Sequence, residues 1–399
     1  MTFIEIHKRV GDYMKNISLI SRIIFFLIVG ISIGLVCSQF ELLIPIKILS
    51  TFSSLFKNFL SFVIPLIIIG FIVPGIASLK GKSGRGLFIT TAIAYTSTIF
   101  AGLLAYIVGS NILPGLITTG KSLEDCASEV TPMFTVDIPP VMQVMSALVL
   151  AFILGIGLSR IKDSVFLKVV EEFNEIISMV VSKILIPLVP VYIGCIFAQL
   201  SYSGEIFNTL KTFGIVYIIL LILQIIYLVI QYSIAGAILK KNPLSLLKNQ
   251  LPAYMTAVGT QSSAATIPVN LECVKSNGVS EEVTDFVVPL CATIHLAGDT
   301  ITLVITSIAV MCMNGQVPSI VDFIPFILML GVTMIAAPGV PGGGVMAALG
   351  LLQDMFGFAE VQQSLMIALH AAQDSFGTAT NVTGDGAIAI LVDKILNRK

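Results

Sequence analysis

The chain of 399 residues is 56% hydrophobic and 11% charged, with a mean hydropathy of +0.99 and a formal net charge of −1. Soluble domains carry about a quarter charged residues, so this composition indicates an integral membrane protein with many spanning segments. The near-zero net charge gives no case for a nucleic-acid partner. Six cysteines are scattered singly, without the spacing of metal ligands or of a disulfide framework.

The first half of the chain contains six apolar runs that predict spanning helices. They occupy residues 17–40, 43–79, 87–113, 141–158, 176–200 and 213–239. The first run has no small-residue cleavage site, so it predicts a retained helix. The amphipathic piece VFLKVVEEFNEII, before residue 178, is expected to lie along the membrane interface.

Lysine and arginine cluster at five places. The clusters lie at the N-terminus, at 80–85, at 160–162, at 240–241 and in the C-terminal DKILNRK. If each run crosses once, all five fall on one side, which the positive-inside rule identifies as the cytoplasm. We therefore expect a multi-pass protein of the inner (plasma) membrane with both termini in the cytoplasm.

From residue 242 onward, short apolar pieces replace single long runs. The pieces 244–258 and 266–274 flank GTQSSAA, and neither has the roughly 20 residues that a crossing helix needs. They predict a re-entrant hairpin over 243–275. A crossing helix over 283–313, interrupted by HLAGDT, follows. A second pair of half-spans flanks PGVPGGG and predicts an opposed hairpin over 322–356.

The last span, over 361–395, carries Asp374, Thr378, Asn381 and Asp385 on one helical face. A carboxylate inside a bilayer costs about 3 kcal/mol by insertion scales, and such residues usually face a partner or a bound ion. No lysine or arginine lies within this stripe. Mobile cations are the simplest partners for the two carboxylates, and a purely structural polar network is the alternative.

Interrupted half-spans in inverted repeats indicate the binding site of a secondary transporter. The glycines Gly342, Gly343 and Gly344 let the backbone approach a ligand, and Ser262 and Ser263 add hydroxyls beside a helix start. An ion channel would use similar carboxylates, but hairpin gates favour alternating access.

An intramembrane hydrolase is a remote alternative. It would need an activated nucleophile, and Ser262 and Ser263 have no histidine or lysine base beside them in the sequence. His295 could approach them only through the fold. We therefore do not expect an enzyme.

Four motifs resemble the dicarboxylate/amino acid:cation symporters, which include archaeal aspartate, animal glutamate and bacterial serine/threonine transporters. They are QSSAATIPVN at 261–270, PLCATIHLAGDT at 289–300, GVPGGG at 339–344 and NVTGD at 381–385. The motifs cover the second half of the chain in order. The first half matches only in the number and length of its spans.

The resemblance implies an all-α fold of eight transmembrane helices and two opposed re-entrant hairpins, in inverted repeats. It also implies a homotrimer in which a transport domain moves like an elevator against a scaffold. Residues 1–239 would supply helices 1 to 6, of which helices 3 and 6 join the transport domain. Its core would be 242–399, with hairpin 1 at 243–275, helix 7 at 283–313, hairpin 2 at 322–356 and helix 8 at 361–395.

The resemblance also implies a binding site for an amino-acid substrate. By position, Asp374 would take the substrate's ammonium group, while Asn381 and Ser263 would take its carboxylate. The other implied substrate contacts are Ser262, Asp299, Val340, Pro341, Gly342, Gly343, Gly377 and Thr378.

Two sodium sites follow from the same resemblance. Asp385 and Asn381, with backbone oxygens near Cys291 and His295, would form one site. Carbonyl oxygens around Thr293 and from Met334 and Ile335 to Ala337 would form the second. Many relatives read NMDGT where this chain reads HLAGD, so a full third site is not expected. His295 at pocket depth leaves proton coupling open, with a structural role as the alternative.

Two departures from the family pattern bear on the substrate. Acidic-substrate members have an arginine where this chain has Gly377, and without it a substrate carboxylate would be left unpaired. We therefore expect sodium-coupled import of a neutral, small or polar amino acid, serine- or threonine-like. Asp299 stands where relatives have a threonine; it could bind a hydroxyl, attract a cationic side chain or replace a lost ion-site carboxylate. Transport of a basic or an acidic amino acid is the alternative.

Overall fold

The computed structural model describes residues 19–78, 84–117, 130–161, 163–335, 337 and 342–397, and every regular element in these ranges is helical. The first half contains α1 (Leu19–Gln39), α2 (Leu43–Ser78), α3 (Gly84–Leu116), α4 (Val144–Leu158), α5 (Val165–Val180), α6 (Ile186–Tyr202) and α7 (Ile206–Leu239). The second half contains α8 (Pro243–Asn249), α9 (Leu251–Thr260), α10 (Ser263–Ser276), α11 (Glu281–Ile294), α12 (Ala297–Met313), α13 (Ile320–Met334), α14 (Gly343–Phe356) and α15 (Glu360–Leu396).

Six helical stretches in these ranges are long and apolar enough to cross a membrane. They are Ser21–Gln39, Leu43–Ala77, Arg85–Leu116, Val165–Tyr202, Ile206–Leu239 and Glu281–Met313. Helix α15 has 37 residues, which at 1.5 Å per residue give about 55 Å, enough to cross a bilayer despite its polar stripe. The prediction of an all-helical membrane protein is confirmed.

The piece expected along the interface is instead continuous with a spanning helix. Helix α5 begins after Ser164, whose hydroxyl accepts a hydrogen bond from Leu167 N–H, and runs through a π-helical turn at Val181–Leu185 into α6. Its buried face packs on α2, where Asn174 Nδ2 donates to the carbonyl of Gly70 at 2.8 Å. Its buried residues are Val170 and Ile177, while apolar residues such as Phe166 and Ile176 remain exposed, so packing on α2 covers only part of its apolar surface and the interfacial placement stays a prediction.

Helices α1 and α6 approach each other through glycines. A Cβ on Gly30 would lie 2.1 Å from the carbonyl oxygen of Gly194, and one on Gly34 would lie 2.3 Å from that of Ala198. In a bilayer, apolar side chains gain little from leaving lipid, so close backbone packing of small residues is a main source of helix association. This pair is the closest helix packing that the glycines of the first half make within the described residues.

The second half is arranged around α15. This helix contacts α3, α7 and the broken helices α9 to α12, and almost all of its side chains up to Ile390 are buried. The chain is interrupted at Gln261–Ser262, between α9 and α10, and at His295–Leu296, between α11 and α12. The interruptions place free helix ends beside the polar face of α15.

The glycine contact predicts a position-specific loss of stability. We expect Gly30→Ala to lower the free energy of unfolding by about 1 to 3 kcal/mol, because its methyl group meets backbone that cannot move aside. Gly214→Ala is the control: a Cβ there meets nothing within 4 Å, and alanine is the better helix former by up to about 1 kcal/mol. Thermal unfolding of both variants in detergent checks this, and equal stability would contradict the close contact.

Candidate functional site

A small polar cavity lies where α15, the break between α11 and α12 and the ends of the short helices meet. Its volume is about 60 Å³. It is lined by Gln261, Ser263, Ala292, Thr293, Leu296, Asp299, Ala337, Gly344, Asp374, Thr378 and Asn381. The structure therefore brings residues from all four motifs to one place.

The N-termini of α10, α12 and α14 and the C-termini of α9, α11 and α13 reach this region. Helix α10 begins at Ser263 after Ser262, whose hydroxyl accepts from Ala265 N–H at 3.3 Å, and α14 begins at Gly343. Helix N-termini present free N–H groups to anions. Helices α11 and α13 end nearby, and Thr293 and Ala337 at these ends line the cavity. Their free carbonyl groups favour cations.

Asp374 contacts the start of α14. Gly342 N–H donates to Asp374 Oδ2 at 2.9 Å, and Gly342 has a φ of +76°, a backbone conformation that glycine adopts without strain. Asp374 is 5% exposed, and Thr378 lies one turn further along the same face. The position of α14 is thus linked directly to the carboxylate predicted to bind the ammonium group.

Both the oxygen and the nitrogen of the Asn381 side-chain amide make hydrogen bonds. Gly298 N–H donates to Asn381 Oδ1 at 2.7 Å, and Asn381 Nδ2 donates to Asp299 Oδ2 at 2.6 Å. A Cβ on Gly298 would lie 2.3 Å from the carbonyl of Gly377, so only glycine allows α12 to approach α15 this closely. Nδ2 carries a second hydrogen, which is the donor available to a substrate carboxylate in the predicted role of Asn381.

His370 is a site residue that the sequence reasoning missed. Its Nε2 lies 2.8 Å from Asp299 Oδ1, and the side chain is fully buried. The ligand-type atoms of Asp299, His370 and Asp374 all lie within 4.8 Å of one another. Helical spacing could have found His370, because it precedes Asp374 by four residues and so shares the polar face of α15.

Asp385 lies deeper than the cavity and is fully buried. Its Oδ1 is 2.9 Å from Nδ1 of His295, and Nε2 of His295 is 3.2 Å from the hydroxyl of Ser97 on α3. Within the described part of the chain, Asp385 Oδ2 has no hydrogen-bond partner. A buried carboxylate oxygen without a donor fits a bound cation.

The other predicted ion ligands lie at helix ends. The carbonyl of Cys291 accepts the backbone N–H of His295 at 2.9 Å, which closes the last turn of α11. Met334 and Ile335 end α13. Val340 and Pro341, predicted to contact the substrate, lie outside the described residues.

The space beside Gly377 is occupied by an amide in place of an arginine. A Cβ on Gly377 would lie 3.2 Å from Nε2 of Gln373 and 3.8 Å from Oδ1 of Asp299. Gln373 in turn donates to the hydroxyl of Thr302 and accepts from Gln224 Nε2 at 2.7 Å. The group beside Gly377 is thus a hydrogen-bonded amide, with the Asp299 carboxylate next to it.

A larger cavity of about 400 Å³ lies between α3, α7 and α15. Apart from Thr96, Ser97 and Gln231, its lining is apolar. A zwitterion needs an anionic group for its ammonium and hydrogen-bond donors for its carboxylate. This lining provides no charged group. The smaller polar cavity is therefore the candidate site.

Comparisons with known proteins agree with this geometry. Residues 19–395 match the profile of the sodium:dicarboxylate symporter family. The serine/threonine transporter SstT of Acinetobacter baumannii is 26% identical, over 96% of this chain and 98% of that protein. Human excitatory amino acid transporter 2 is 28% identical, over 58% of this chain and 41% of that protein. The chain therefore belongs to the sodium:dicarboxylate symporter family, whose members are membrane transporters and not enzymes.

Proposed function

We propose that this protein is a secondary active transporter that imports a neutral, small or polar amino acid, serine- or threonine-like, together with sodium ions. The observation that carries the proposal is the cavity at Asp374: it combines the carboxylates of Asp374 and Asp299 with the N-termini of α10, α12 and α14, and none of its described lining residues is lysine or arginine. Asp374 attracts the substrate's ammonium group, and the starts of α10 and α14 attract its carboxylate.

The size of the cavity supports a small substrate. Its volume of about 60 Å³ has room for roughly four to six water-sized groups, at about 10 to 15 Å³ each. Serine, with seven non-hydrogen atoms, needs only a slight opening of this space. A lysine or glutamate side chain needs considerably more.

Sodium would be held at two places. Asp385, with backbone oxygens of Asn381 and of the α11–α12 break near Cys291 and His295, fits one ion. The carbonyl oxygens at the ends of α11 and α13, around Thr293 and from Met334 to Ala337, fit a second. A bound sodium ion supplies positive charge that compensates buried carboxylate and carbonyl groups. A full third site is not part of the proposal, because Ala297 supplies no carboxylate.

The larger assembly is proposed by analogy with the family. The short helices α8 to α10 and the pair α13–α14 would be opposed re-entrant hairpins, and they would move with α3, α7, α11, α12 and α15 as the transport domain. Helices α2, α4, α5 and α6 would form most of the trimeric scaffold, with both termini in the cytoplasm. The tight α1–α6 contact supports a rigid scaffold.

The contacts of Asp299 favour a neutral over a basic substrate. Both carboxylate oxygens already receive a donor, one from His370 and one from Asn381, so Asp299 is stabilised by hydrogen bonds within the protein and does not depend on a cationic side chain for a partner. An acidic substrate would find no cationic partner at Gly377.

Uptake into proteoliposomes tests the function. We expect an inward sodium gradient to drive uptake of radiolabelled serine, with competition by threonine and no competition by aspartate, lysine or arginine. Asp374→Asn should reduce uptake at least a hundredfold, because the ammonium group loses its charged partner. Asp322→Asn, at an exposed position in α13, is the control. Uptake driven only by a proton gradient, or carrying only lysine or aspartate, would contradict the proposal.

The glycine at position 377 leads to a second prediction, which concerns the recognition of aspartate. We expect Gly377→Arg alone not to confer aspartate recognition, because a side chain there begins 3.8 Å from Asp299 Oδ1 and the new arginine pairs with that carboxylate. Adding Asp299→Thr releases the arginine and should strengthen aspartate competition against serine at least tenfold. Asp299→Thr alone is the control. Equal aspartate competition in the single and double variants would show that Asp299 does not reach this position.

A further inference from the structure

Asp299 and His370 form a buried contact at the edge of the proposed substrate cavity. Asp299 lies in the first turn of α12, where the free N–H groups of the helix start stabilise an anion. His370 Nε2 lies 2.8 Å from its Oδ1. Because an ionised carboxylate only accepts hydrogen bonds, the Nε2 atom carries the proton and donates it.

We propose that His370 and Asp299 act as one side-chain recognition unit that selects a short, hydroxyl-bearing side chain over an apolar or a cationic one. The inference rests on the function proposed above and specifies its substrate class. Asp299 touches the substrate, and His370 is a positioning residue that fixes the carboxylate.

The hydrogen-bond capacity of Asp299 supports this selection. Each carboxylate oxygen can accept two hydrogen bonds; Oδ1 receives one from His370, and Oδ2 receives one from Asn381. One acceptor position on Oδ1 is thus available for a substrate hydroxyl. An apolar side chain leaves that position unused but leaves neither oxygen without a donor, so serine is preferred over alanine only moderately, by about tenfold.

Glycines on both sides give a substrate access to Oδ1. A Cβ on Gly344 of α14 would lie 3.1 Å from this oxygen, and one on Gly377 of α15 would lie 3.8 Å from it. Larger residues at either position would cover the carboxylate. The same short distances limit the depth of the site, which excludes a long side chain.

Removal of His370 should raise the preference for serine over alanine, which the loss of a purely structural residue would not do. Without its donor, Oδ1 is a buried acceptor that only the substrate can satisfy, so a substrate with a donor becomes more strongly preferred. A purely structural histidine, when removed, lowers the affinity for serine and alanine equally.

The experiment compares serine, alanine and the short cationic amino acid 2,3-diaminopropionate as competitors of radiolabelled serine uptake in proteoliposomes. The variants are His370→Leu, which removes the donor, His370→Gln, whose amide N–H replaces it, and Asp299→Leu. Ser307→Ala is the matched control, because Ser307 is buried on α12 and its hydroxyl bonds only to the carbonyl of Leu303 within the described structure. Thermal unfolding in detergent verifies that each variant is folded.

We expect the serine-to-alanine preference to rise about tenfold in His370→Leu and to return to the wild-type value in His370→Gln. Diaminopropionate should compete in His370→Leu and not in the wild type. The preference should fall close to one in Asp299→Leu and stay unchanged in Ser307→Ala.

The outcomes distinguish a failure of this inference from a failure of the proposed function. If the wild type takes up serine but His370→Leu and Asp299→Leu keep the wild-type preference, this inference is wrong and the proposed function stands. If Asp299→Leu is folded and still prefers serine, the hydroxyl is recognised elsewhere. If the wild type takes up no neutral amino acid, both proposals are overturned.

Discussion

Buried carboxylates inside a membrane protein are the constraint on which the second half of this structure depends. Asp374 and Asp385 lie on one helix, and Asp299 faces them from α12, all at most 5% exposed. Each ionised group would be strongly unfavourable in a bilayer unless donors or cations compensate it. The surrounding helices are interrupted where such compensation is needed, because only a broken helix presents free N–H or C=O groups.

The three buried carboxylates differ in the groups that stabilise them. Asp374 receives the backbone N–H of Gly342, Asp299 receives His370 and Asn381, and Asp385 receives His295 while keeping one oxygen without a donor. A carboxylate oxygen with an unused acceptor position can bind a ligand. Asp385 keeps an oxygen with no donor among the described residues, and Asp299 receives one donor on each oxygen, so each can accept one more. Asn381 lies between Asp374 and Asp385 on the same helical face.

Much of this organisation could be predicted from the sequence. Hydropathy and interrupted apolar runs predicted the all-helical fold and the breaks near Gln261 and His295, because run length and polar interruptions directly reflect the bilayer. The polar stripe of α15 followed from helical periodicity. The contacts between helices did not follow, because the pairing of His370 with Asp299 joins positions 71 residues apart. Gln373 lies beside Gly377 through the four-residue spacing of one helix, which periodicity could have found, but its partners Thr302 and Gln224 lie on other helices. For the amphipathic piece before residue 178, periodicity alone does not distinguish burial against a neighbouring helix from contact with an interface, because both produce the same pattern.

The most direct measurement is the dependence of serine binding on sodium concentration, made by calorimetry on the purified protein in detergent with choline replacing sodium. If mobile cations compensate the buried carboxylates, the apparent Kd for serine falls as sodium rises, and a plot of log Kd against the logarithm of sodium concentration has a slope between about −1 and −2. A Kd for serine that is the same in choline and in sodium would contradict the central claim, because the carboxylates would then be balanced by the protein alone.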